Sequence, residues 1–200
     1  MTRAPLVIAC GALASELRTV LGRQGLDHIE VRYLPANLHN RPERIVPELR
    51  ALIDREGGGR DLFIAYADCG TGGALDAFLA DRPEIGRLPG AHCYEFFAGS
   101  AGFAVLHDAE PGTFYLTDFL AKHFDALVWQ GLGLDRHPSL LPVYFGNYRR
   151  LVLLSQRDDP AVLSAAAVAA QRLGLEFHHE HTGLDHFSAA VTVGLRRKVG

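Results

Sequence analysis

The sequence predicts an α/β fold: a largely parallel sheet with helices on both faces, Rossmann-like and three-layered, with a site at its strand ends. Three observations predict it. Short β-rich runs alternate with longer stretches of helical periodicity from one end of the chain to the other. The first run, LVIAC, reads as a buried strand. The helical stretches are long enough for βαβ crossovers, which make neighbouring strands parallel.

The elements follow in order. Residues 6–10 form a strand, and 12–25 carry apolar residues at helical spacing up to a glycine stop. Residues 29–34 form a second strand. Residues 41–59 form a helix with proline near its start and three glycines at its end, and Pro47 predicts a kink or a late start. A third strand at 61–67 runs into YADCGTGG, and a helix follows over 73–82. Residues 93–109 read as helical despite two glycines, and 112–117 as extended. A helix then begins at Asp118, a plausible cap. Residues 150–156 form a strand, 159–174 an alanine-rich helix and 175–183 a last strand. With no internal repeat and no linker, the expectation is a single domain over 1–200; two halves, about 1–110 and 111–200, would share one core.

Composition narrows the function class. The chain is 48% hydrophobic and 22% charged, ordinary for a globular protein, and its net charge of −3 offers no basic field. Nucleic acid and anionic membrane are therefore not expected partners. No apolar run approaches the roughly 18–20 residues that span a membrane. No signal peptide is visible, and three widely spaced cysteines argue against a disulfide framework, so the expected compartment is the cytoplasm.

Those cysteines are the main candidates for chemistry. Cys10 ends the first strand, Cys69 follows the third, and Cys93 opens a helix after a PGAH turn. In open α/β sheets such switch points line one edge, where ligands bind. Their spacing excludes a local zinc finger but allows convergence in space. Helix N-termini favour thiolate, and three thiolates in one pocket would call for a soft cation, zinc or an iron–sulfur cluster. His92 is the candidate fourth ligand, and His92 or Glu95 would orient a ligand or move a proton. For any one cysteine, packing as a small hydrophobe is the commoner role.

Other motifs are weaker. Gly70, Gly72 and Gly73 could cradle a phosphate, yet the loop lacks the lysine of a P-loop and the full dinucleotide spacing. Glycine there, and Gly11 after Cys10, would equally let backbone approach a bulky ligand. Tyr144 and Asn147 in YFGNY form a candidate ligand-facing cluster, with aromatic core packing as the default. In HHEH, strand alternation puts His179 and His181 on one face and His178 on the other, a pattern that suits a solvated strand end. His107, His137 and His186 are isolated candidates for general bases.

Taken together, ACGALASEL, YADCGTGG, HCYEFFAGS, GTFYLTDFL and YFGNYRRLVLL resemble an uncharacterised family, domain of unknown function 1638, over about Leu6 to His186. Its cysteine motifs match Cys10, Cys69 and Cys93. The resemblance implies a context beside corrinoid-dependent methyltransferase systems for methylamines and related one-carbon compounds. The layout, one cysteine from each of three sections, is also similar to that of quinolinate synthase and diphthamide synthase, as an analogy only. The expectation is a metalloprotein acting on a small-molecule substrate in corrinoid-linked methyl transfer or one-carbon metabolism. Its partner would be a corrinoid protein or methyltransferase. The alternatives are a non-catalytic accessory protein carrying metal or cofactor, and a phosphate- or nucleotide-binding enzyme using the Gly70–Gly73 loop.

Overall fold

A computed structural model describes residues 4–199. They divide into two compact units, one running to Phe96 and resuming at Leu184, the other spanning Phe97–Gly183. Each is built around a parallel sheet, so the α/β class holds, with the strands shared between two sheets.

The first unit orders β1 (Leu6–Cys10), β2 (Glu30–Leu34), β3 (Leu62–Ala65) and β4 (Gly86–Arg87) as β2-β1-β3-β4, every pairing parallel. β1 and β3 are buried at every position, as strands covered on both faces must be. A 3₁₀ turn over Gly11–Leu13 leads into α1 (Ala14–Arg23), whose Leu17, Val20 and Leu21 enter the core. α2 (Ile45–Glu56) starts late, after a 3₁₀ turn at Pro42–Arg44. Pro47 thus falls in the first α-turn, where a missing N–H costs nothing, and no kink is needed. α3 (Ala74–Ala80) follows the glycine loop, and α4 (Cys93–Ala98) leads the chain out of this unit. The last helix, α9 (Asp185–Val199), returns to pack on β3 and β4.

The second unit orders β5 (Thr113–Thr117), β6 (Arg150–Ser155) and β7 (Glu176–His181) as β5-β6-β7, again parallel. The helix expected over 93–109 breaks at Gly99, whose φ of 73° lies outside helical geometry, so α5 runs separately over Ser100–Ala109. The helix expected from Asp118 is also shorter. α6 covers Asp118–Lys122, and a π-turn over Asp125–Trp129 follows. Its cap is Thr117, which accepts from the Leu120 amide, because Asp118 is drawn inward. Asp118 N donates to Gln156 Oε1 at 3.1 Å, and Gln156 N to Asp118 Oδ1 at 3.2 Å, tying the end of β5 to the end of β6. α7 (Leu141–Phe145) and α8 (Pro160–Leu173) complete the unit. Its core joins Leu116, Phe124, Leu151 and Leu153 to the alanine face of α8. Among the described residues, no helix is long and apolar enough to cross a membrane.

Small residues set how closely α9 approaches its sheet. A Cβ on Gly194 would stand 2.3 Å from the Phe63 ring, itself wholly buried on β3. Gly194→Ala should therefore force the ring or the helix to shift and destabilise the protein by about 1–3 kcal/mol, read as a lower urea midpoint at unchanged slope.

Candidate functional site

Parallel pairing delivers two of the three cysteines to one edge. β1 and β3 run in register, Ala9 beside Ala65, so Cys10 and the segment after β3 emerge at the same C-terminal end. Cys69 has a φ of 51°, the one left-handed non-glycine residue described. That conformation is uncommon for a residue with a side chain. It is held by two backbone bonds into the turn before α4, Asp68 N to Gly90 O at 3.1 Å and Cys69 N to Ala91 O at 2.8 Å. The same bonds bring the start of α4, and hence Cys93, to Cys69. All three cysteines are free thiols.

The residue that joins them is one the sequence reading passed over. His39 lies on the 3₁₀ segment Ala36–Asn40 after β2, and its Nδ1 stands 3.7 Å from the Cys10 sulfur. Gly11 permits the approach: a Cβ there would meet Leu34 O at 2.9 Å, so only glycine lets the chain leaving β2 pass over the end of β1. His39 Nδ1 is also 3.0 Å from Ala36 O. A carbonyl only accepts, so Nδ1 carries a proton, and in the neutral ring Nε2 keeps its lone pair. Burial pulls the imidazole's pKa down, but hydrogen bonding to Cys10, Cys69 and Cys93 outweighs it and holds the ring well above the ordinary histidine range. The imidazole thus contacts the Cys10 sulfur, with Cys69 and Cys93 near enough to act on its charge.

The sulfurs are not equivalent. Cys10 is 3% exposed and accepts from the Ala12 amide at 3.4 Å, whereas Cys69 and Cys93 are half-buried. Burial pushes the Cys93 thiol up; His39 pulls it down, and the charges of Cys69 and Cys10 add to the rise. Tyr66, 1% exposed, stands beside them, and its hydroxyl has no hydrogen-bond partner among the described residues. Its pKa is raised by burial, then by Cys10, through its charge and a side-chain interaction too poorly aligned to count as a hydrogen bond, and by the charge of Cys69. An orphaned buried hydroxyl costs about 1–3 kcal/mol and so calls for an explanation. Among the described residues, no three His, Cys, Asp or Glu side chains are already drawn up as ligands around one point.

The glycine loop has a different task from cradling phosphate. Asp68 turns its carboxylate onto the loop, accepting from the amides of Gly72 and Gly73 at 3.0 Å each and from the Thr71 hydroxyl. The amides a phosphate would need are already occupied by an anion of the chain itself. Gly70, Gly72 and Gly73 all have positive φ, which the turn requires. Glu95 likewise serves the backbone, accepting from Ala91 N at 2.9 Å and holding the entry to α4. His92 is exposed, its ring stacked 6.1 Å from Tyr94.

The remaining candidates lie in the second unit. Tyr144 and Asn147 are exposed, on α7 and the turn after it. The HHEH alternation is realised: His178 pairs with Glu176 at 2.9 Å, while His179 Nε2 and His181 Nδ1 reach the opposite side, 2.9 and 3.0 Å from Ser155 Oγ. Ser155, buried at the end of β6, carries no sequence signal beyond its strand-end position. His107, His137 and His186 are exposed.

The Asp68 carboxylate yields a pH-dependent expectation. Burial alone would raise its pKa, but bonds from Thr71, Gly73 and Gly72 bring it below the ordinary aspartate range. A carboxyl with a folded pKa below its unfolded value contributes stability above the unfolded value, near pH 4, and loses it as pH falls through the folded one. Asp68→Asn should therefore cost about 1–2 kcal/mol at pH 7 and progressively less below about pH 4, read by urea denaturation of both proteins at the two acidities.

No curated protein and no solved structure matches the chain. A family model described as "Protein of unknown function (DUF1638)" matches residues 33–191, a span that contains His39, Cys69 and Cys93 but not Cys10. The chain belongs to the DUF1638 family.

Proposed function

We propose that Cys10, Cys69 and Cys93 bind a soft metal centre, zinc or an iron–sulfur cluster, with His39 as the fourth protein donor. The observation that carries this reading is the His39 imidazole, whose Nδ1 stands 3.7 Å from the Cys10 sulfur and whose charge is also governed by Cys69 and Cys93. Three thiolates and one imidazole are a donor set that suits tetrahedral zinc. The contact from Nδ1 to Ala36 O is the support that metal-binding histidines characteristically receive, leaving Nε2 for the ion. A cation also supplies the counter-charge without which three clustered thiols cannot ionise together.

The role of the centre follows from whether a position is open. Four protein donors close a tetrahedral ion, which favours an accessory protein that holds or delivers metal in a methyl-transfer system. If His39 gives way, the position it vacates would take a substrate thiol, amine or carboxylate, and the bound metal would activate it as a Lewis acid. The link to a corrinoid protein or methyltransferase rests on the family resemblance. The phosphate-binding alternative loses support because Asp68 occupies the amides of Gly72 and Gly73.

Anaerobically purified protein should carry close to one metal centre per chain, with visible absorption if it is a cluster and none if it is zinc. Cys10→Ser, Cys69→Ser, Cys93→Ser and His39→Ala should each reduce retained metal to less than about a tenth of an equivalent after dialysis, whereas His92→Ala should retain it. Wild-type protein that stays below that level after reconstitution with zinc or with iron and sulfide would sink the reading.

A further inference from the structure

The proposal above leaves Tyr66 without a task, and its position is specific. It is the residue immediately after β3, whose last pair with β1 is Ala65 beside Ala9, so it leaves the sheet at the edge where β1 ends in Cys10, and Cys10 acts directly on its phenol. The phenol is 1% exposed, and its hydroxyl is enclosed without a hydrogen-bond partner among the described residues. Such a donor at a site edge points to an acceptor that is complete only when the site is filled.

Cys10 supplies that acceptor. As a thiol its sulfur is a weak acceptor, already approached by Ala12 N at 3.4 Å and His39 Nδ1 at 3.7 Å. Bound to a metal as thiolate, it accepts charge-assisted hydrogen bonds far more strongly. We propose that Tyr66 is a positioning residue of the metal centre, its hydroxyl donating a hydrogen bond to the metal-bound sulfur of Cys10. This inference rests on the metal reading. The bond would fix the Cys10 side chain toward the ion and draw charge from its sulfur, making it a poorer nucleophile and a weaker electron donor to the metal.

Full-length protein stripped of metal and titrated with cobalt(II) tests it, with Tyr66→Phe as the variant. The variant should bind the same stoichiometry of cobalt about 10–100-fold more weakly, with the sulfur-to-cobalt charge-transfer band moved to longer wavelength. Without metal, Tyr66→Phe should lie close to wild type in urea, because the hydroxyl it deletes has no well-formed hydrogen bond and only a weak thiol beside it. Superimposable bands and affinities in the two proteins would overturn the inference, and so would a metal-free variant clearly less stable than wild type. Wild-type protein that binds no cobalt would count against the metal centre itself, a distinct outcome read before any variant is compared.

Discussion

The parallel pairing of β1 with β3 is the constraint on which the site depends. Because both strands run the same way in register, their C-terminal ends share one edge, and Cys10, Tyr66 and the Cys69 loop emerge together. An antiparallel pairing would put these residues at opposite ends of the sheet. The pairing is in turn stabilised by burial: Leu6, Ile8, Ile64 and Ala65 are fully inaccessible, and each strand step removed from water contributes to the hydrophobic free energy of folding. The core of this unit and the geometry of its sulfurs are thus one feature.

What the sheet places, short-range bonds then refine. Cys69 sits in a left-handed conformation that costs an ordinary residue free energy, and the loop offsets it with the Asp68 carboxylate on Gly72 and Gly73 and with the bonds to Gly90 and Ala91. Glu95 on the Ala91 amide fixes the other side of the same turn. Asp68 and Glu95, the second of which looks like chemistry in the sequence, therefore act on backbone, and they do so on both loops that deliver a cysteine. Their contribution to the site is geometric.

The strand and helix pattern was legible because central parallel strands and their crossovers leave strong periodic signals, and the positions of Cys10, Cys69 and Cys93 at element boundaries followed from it. His39 was not legible. It sits in a 3₁₀ segment with no periodicity, and its contact with Cys10 spans 29 positions of sequence. The available hint was Gly11: a glycine directly after a strand, without positive φ, marks a close approach of backbone, here by Leu34. Ser155 was hidden for a related reason, since a serine gains meaning only when the partner strand sets His179 and His181 against it. The sequence allowed two halves but did not specify the division of strands between two sheets, because βαβ spacing constrains neighbours along the chain and not where a sheet ends.

The asymmetry among the three sulfurs bears on how a metal would enter and leave. Cys10 is the most constrained: it lies on a central strand, is nearly inaccessible, and has Ala12, His39 and Tyr66 around it. Cys69 and Cys93 are half-buried, one on a loop in strained conformation and the other at the first residue of a six-residue helix. Segments held by a few turn bonds open at lower free energy than a buried central strand. If the proposed centre forms, exchange would proceed through Cys69 and Cys93 while Cys10 keeps its place. On the proposed metal reading, Cys10 would be the anchor and the other two the gate, an order set by the sheet.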